Sequence, residues 1–193
     1  MRFQPISLVI VGAVVVNAVN VKLFDTPFDD NCDESLPYLI CQNIAMNKCC
    51  YHPEGSLSFS VKVDSMNTET NDFGVVFNKV GNDLCANSCL TDGGVNILCG
   101  TCDSSHFPSA GAWFSRPRTL ANATSDEPDW SAQLTGRVAA DKAGLFDKAG
   151  IVHHIKIDDT VPEDLVSELI AAVGKGSTYE DLPLEAKAYE VPV

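Results

Sequence analysis

The sequence predicts an α+β protein. A small disulfide-stapled, β-rich sheet or barrel module should occupy residues 19–116. A linker over 117–129 and a cysteine-free α/β or partly flexible acidic extension over 130–193 should follow it. Three observations predict this. All eight cysteines of the 193-residue chain lie between Cys32 and Cys102. Within that span, short alternating apolar stretches are separated by Gly, Asn and Asp. Beyond it, Val161, Leu165, Leu169 and Val173 form a stripe at helical spacing, with Val166 and Ile170 beside it.

The elements are taken in chain order. Arg2 precedes an uninterrupted apolar run from Ile6 to Val16, and Val16-Asn17-Ala18 places small residues where a signal peptidase reads them. Residues 1–18 are therefore expected to be a signal peptide cut after Ala18. The run is short for a bilayer, which needs about 20 helical residues, so no membrane anchor is expected. Residues 56–63 alternate strictly, with Leu57, Phe59, Val61 and Val63 on one face, as a half-buried strand requires. Residues 73–77 are a second strand, closed by Gly81-Asn82-Asp83; Asp92-Gly93-Gly94 is a turn before a third at 95–99, and 112–114 is a fourth. The linker is rich in Pro, Ser, Thr, Asn and Asp, and holds one glycosylation sequon at Asn122. Residues 151–157 are β-prone. Thr160 and Glu163 have capping-box spacing ahead of a helix over about 161–173, which Gly174 stops. The last residues, 180–193, alternate acidic and apolar types with two prolines and are expected to be extended or loosely ordered.

The cysteines are Cys32, Cys41, Cys49, Cys50, Cys85, Cys89, Cys99 and Cys102. In a chain exported through an oxidising compartment, an even number of them is a disulfide framework. Spacing does not choose among the pairings. A bridge between neighbours closes a strained ring, so Cys49 and Cys50 should reach two different segments. Cys85-x3-Cys89-x9-Cys99-x2-Cys102 has the thiols of a four-thiolate zinc site. With the sulfurs used as struts, neither a metal nor a cofactor is expected.

The formal charge is −13, and it is spread evenly. Residues 19–102 carry 11 acidic and 4 basic residues, and residues 103–193 carry 15 and 8. An acidic surface without a basic stripe repels phosphate backbones, which excludes nucleic acid as a partner. No catalytic residue is nominated. His153 and His154 are adjacent, so on a strand they face opposite sides and cannot share a metal. No nucleophile elbow or zinc-protease helix occurs. The polar stretch 67–74 has part of a calcium-loop pattern but lacks its final glutamate. Trp113, Trp130, Tyr51 and Phe114 are either a sugar-stacking face or core.

Cys41-x-Asn43-Ile44, the Cys49-Cys50 pair, the Cys85 region, residues 95–100 and residues 107–113 resemble small secreted cysteine-rich proteins of filamentous fungi, many of them candidate effectors. The resemblance covers about residues 32–114. It implies an extracellular, non-enzymatic protein whose partner is a host or cell-wall protein or polysaccharide. The alternative expectations are a carbohydrate- or cell-wall-binding protein and, behind that, a secreted hydrolase or a toxin or inhibitor.

Overall fold

Among the residues that the computed structural model describes, 19–26, 32–70, 72–102, 107–115 and 128–193, the chain forms twelve strands in two sheets. In chain order these are β1 (Val19–Phe24), β2 (Tyr38–Ile44), β3 (Lys48–Tyr51), β4 (Ser60–Asp64), β5 (Asp72–Val80) and β6 (Asp83–Gly93). Then come β7 (Leu98–Gly100), β8 (Pro108–Ser115), β9 (Gly136–Ala139), β10 (Lys142–Phe146), β11 (Val152–Lys156) and β12 (Glu190–Val191). Two helices, α1 (Glu163–Gly174) and α2 (Leu184–Lys187), lie between β11 and β12. The seven-stranded sheet has the order β12-β11-β10-β2-β1-β4-β7, and the five-stranded sheet β6-β5-β8-β3-β9.

Period-two alternation sends Val19, Val21 and Leu23 of β1 to the inner face, together with Leu39, Val61, Val63, Ala143, Leu145 and Ile155. Two different covers close that face. Over β1 and β4 it is the five-stranded sheet, which approaches so closely that a Cβ on Gly111 would lie 2.8 Å from Val61 and 2.9 Å from Val21. Over β2 and β10 it is α1, whose stripe Leu165, Leu169, Ile170 and Val173 is buried in the same cluster.

The four disulfides are Cys32–Cys99, Cys41–Cys50, Cys49–Cys85 and Cys89–Cys102, and no cysteine is free. Cys49 and Cys50, on neighbouring positions of β3, do reach different segments. Cys50 crosses to β2 in the other sheet. Cys49 turns to the outer apolar cluster of Val75, Phe77, Ala112 and Phe114, where it meets Cys85 of β6.

The α+β reading with a separate extension does not hold. Strand makes up 45% of the described residues against 14% for helix, and neither sheet closes into a barrel. The cysteine-free stretch is no appendage: β9 lies parallel to β3, and β10 antiparallel to β2. Its crossing point is two residues long. The Ala140 amide donates to Tyr51 in one sheet (2.9 Å), and the next amide, Asp141, donates to Ile40 in the other (3.1 Å).

Smaller differences have local causes. The strand expected over 56–63 begins only at Ser60, and its polar face, Ser60, Lys62 and Asp64, is buried as well. The segment before β2 lies on that face. Thr160 and Glu163 do not form a cap: Thr160 bonds instead to the Asp158 carboxylate, and Pro162 is the capping residue of α1. The reciprocal capping box sits at Thr178 and Asp181, ahead of a 3-10 turn over Tyr179–Asp181. The tail is ordered through that turn, α2 and the β11–β12 pairing.

Candidate functional site

Three segments enclose a cleft of about 410 Å³: residues 34–37 before β2, the turn 146–150 between β10 and β11, and residues 176–178 after α1. Each wall is fixed locally. The first is stapled to β7 by Cys32–Cys99 and turned by Asp33, which accepts the Ser35 amide at 2.9 Å. In the second, Asp147 Oδ1 accepts the amides of Ala149 (2.9 Å) and Ile151 (2.8 Å). The third is the stop of α1, where Gly176 takes a φ of +69° and its amide bonds back to Val173 at 3.0 Å.

The outer face of the seven-stranded sheet carries the charge beside this cleft. Lys156, Lys142, Ile40, Lys22 and Lys62 stand in register across β11, β10, β2, β1 and β4. Like charges opposite one another repel unless an anion lies between them. For Lys22 and Lys62 that anion is Glu34, whose Oε1 is 2.5 Å and 2.9 Å from the two ammonium groups, with Asp64 3.5 Å from Lys22. Glu34 is half exposed (51%), whereas the lysines are 14% and 9% exposed. Hydrogen bonds from Lys22 and Lys62 hold the Glu34 carboxyl below its usual range. Burial opposes the Lys22 ammonium, but Glu34, Tyr38 and Asp64 outweigh it and raise its pKa.

The next row pairs His154 with Gly144 and Gly144 with Tyr38. A Cβ on Gly144 would lie 2.6 Å from the Tyr38 ring, so only glycine fits beneath it. The Tyr38 hydroxyl is 3.1 Å from His154 Nε2. Burial, then Lys142 and Lys22, lower the His154 pKa, and burial raises that of Tyr38.

The adjacent histidines do face opposite ways. His153 lies at the surface, with Nδ1 2.7 Å from Glu190 Oε1 and Nε2 3.5 Å from Asp147 Oδ2. Tyr179 stacks on its ring at 3.8 Å.

A buried Asp25–His52 pair resembles half of a catalytic triad, with His52 Nε2 2.9 Å from Asp25 Oδ2. The other ring nitrogen accepts the Glu54 amide at 3.2 Å. Neither nitrogen is left for a substrate proton, so the pair ties the end of β1 to the loop after β3. Trp113, Trp130 and Phe114 are core residues rather than a sugar platform, and the Trp113 indole donates to Ile44 O at 2.8 Å. In the stretch 67–74, Asn67 and Asp72 cap their own turn. Among the described residues no group of three His, Cys, Asp or Glu is placed to hold a metal. The expected leader (1–18), Asn122 and the linker up to residue 127 lie outside the described residues.

Cysteine positions were readable from the sequence; Glu34, Lys22, Lys62 and Tyr38 were not. They come from separate segments and meet through strand register and, for Glu34, through the Cys32–Cys99 staple, which leaves no local motif.

A family model described as ARB_05566_N, N-terminal domain, matches residues 20–137, more than half of the chain. The match ends inside β9, just before the chain crosses to the seven-stranded sheet. No curated protein and no solved structure matches the chain.

Proposed function

The chain belongs to the ARB_05566_N family, and on that premise we propose that it is exported and works by binding, as an effector-like protein on a host or cell-wall component. The observation that carries this reading is the commitment of all eight cysteines to four bridges, the habit of proteins made in an oxidising compartment. The leader-like apolar run agrees with it, and among the described residues no helix is long and apolar enough to cross a membrane. The resemblance to small secreted cysteine-rich fungal proteins points the same way. The Asp–His pair that comes nearest to a catalytic arrangement has no free nitrogen.

Carbohydrate of the cell wall is the second reading. The cleft mixes hydroxyls (Ser35, Ser177), a carboxylate (Glu34) and apolar surface (Leu36, Phe146), the chemistry that holds a polyol. Two measurements test these readings. Intact mass should rise by about 8 Da on reduction, two hydrogens per bridge, and the protein should appear in the medium of the producing cell. Purified protein is then mixed with insoluble chitin, β-glucan and cellulose. Retention that is lost in Ser177→Trp, which fills the cleft, supports the wall reading. Absence of retention on all three removes that reading, and polymer cleavage overturns the non-catalytic one.

A further inference from the structure

Both ring nitrogens of His153 face carboxylates, Glu190 on β12 and Asp147 in the β10–β11 turn. A neutral imidazole has one N–H and one lone pair. In either tautomer, therefore, a lone pair confronts an anion, and only the imidazolium satisfies both sides. The surroundings reinforce that geometry. Tyr179 stacks on the ring with planes 15° apart and donates its hydroxyl to Glu190 Oε2 at 2.7 Å. On Tyr179 in turn, the Lys187 ammonium lies 5.0 Å from the ring centroid. These partners come from the turn, the 3-10 segment, α2 and β12, so the ring is the meeting point of everything after α1.

We propose that His153 is a proton-operated latch: its imidazolium holds residues 178–191 onto the edge of the seven-stranded sheet, and loss of the proton lets that segment open. The groups in contact with the ring are Asp147 from the turn, Tyr179 from the 3-10 segment and Glu190 from β12. The same packed elements also carry Lys148, bonded through its amide to Glu180, Asp181, bonded to Thr178, and Lys187, over Tyr179, while Leu145 is the apolar register partner on β10. Hydrogen bonds hold the four carboxyls low and the Tyr179 phenol high, so the change of charge near neutrality falls on the imidazole.

The sign follows from the partners. The bond to Glu190, then that to Asp147, raises the His153 pKa above 6.5 against burial. Its stabilisation is complete below pH 6.5 and is lost as pH climbs through the raised value. Glu190 sets the acid limit. Its carboxyl is held below 4.5 by His153 and Tyr179, so its share is present above 4.5 and is lost as pH falls through the lowered value. The latch is tightest between those limits. Thr178, at the start of that segment, also lines the cleft, so opening loosens one of its three walls. The latch stands whatever the cleft binds.

The Lys156 amide, which donates to Tyr189 O at 3.1 Å, reports whether the segment is closed. Hydrogen exchange of this amide is followed at about pH 5.5 and about pH 8, corrected for intrinsic rates, with an amide of β5 as control. Its protection should fall roughly two- to fivefold at the higher pH, the scale of a solvent-facing ion pair, while β5 stays level. His153→Gln should remove the difference. Equal protection at both pH values, or a pH dependence that survives in His153→Gln, overturns the latch. The wild-type ring titrated by NMR decides the matter without any variant: a midpoint above 6.5 is expected, and one at or below the ordinary histidine value refutes it.

Discussion

Residues 32–102 carry all eight cysteines and residues 130–193 carry none, yet strands from both stretches lie side by side in the same two sheets. In the first stretch, bridges do the joining: β2 to β3 between sheets, β3 to β6 within one, and the two sheet edges through Cys89–Cys102. In the second, the same task falls to backbone pairing and to one apolar helix face. Covalent struts act mainly on the unfolded chain, by restricting it. Apolar packing acts on the folded state, by removing surface from water. One core thus holds regions that answer to different perturbations.

That contrast can be broken in order of size. The largest effect is expected from Cys32→Ala with Cys99→Ala, which opens a loop with a sequence separation of 67. By the chain-entropy relation this costs about 4 kcal/mol, read as a drop in guanidinium unfolding free energy. Leu169→Ala in α1, whose parent side chain is wholly buried, should cost about 3 kcal/mol. If the two stretches form one cooperative unit, tryptophan fluorescence in a Trp130→Phe background, which leaves Trp113 of the other sheet as the sole tryptophan, should follow the same shifted transition as far-UV circular dichroism. Separate transitions would show two units. Gly144→Ala drives a methyl into the Tyr38 ring and should cost about 1–3 kcal/mol by thermal melting, because β10 must move away from β2. Smallest is Arg137→Ala, which removes a solvent-facing pair with Asp83 at 2.6 Å. It should change stability by less than about 1 kcal/mol, and less still in high salt.

Sequence legibility followed the same division. The α1 stripe was readable because four residues at helical spacing face one neighbour, and it runs Glu163–Gly174 against an expected 161–173. The fate of Cys49 and Cys50 was readable because a bridge between neighbours closes a strained ring, and their placement on β3 then turns them to opposite faces. The union of the two stretches was not. β9 reads Gly136-Arg137-Val138-Ala139, its valine is 39% exposed, and it is held by backbone bonds to β3 that leave no side-chain trace. β6, with its run of Cys, Asn, Ser and Thr, offered no apolar alternation, although it is the longest strand among the described residues. On β4, Lys62 counts as polar in any alternation, yet a disulfide-held segment covers it. In the candidate site, Lys22, Glu34 and Lys62 lie 12 and 28 positions apart and meet through the β1–β4 pairing and the Cys32–Cys99 bridge.

The crossing at Ala140 and Asp141 also governs the order in which the molecule is finished. A ribosome makes the cysteine-bearing strands first, and β2 must then wait with a bare edge until residue 142 emerges, and with a bare inner face until α1 is complete. Until then the cysteine-bearing strands form a half-built sheet, with an unpaired strand that invites neighbours to dock. Truncations that stop before β10, including any that keep only the stretch matched by the family model, should emerge as aggregates rather than as a smaller folded protein.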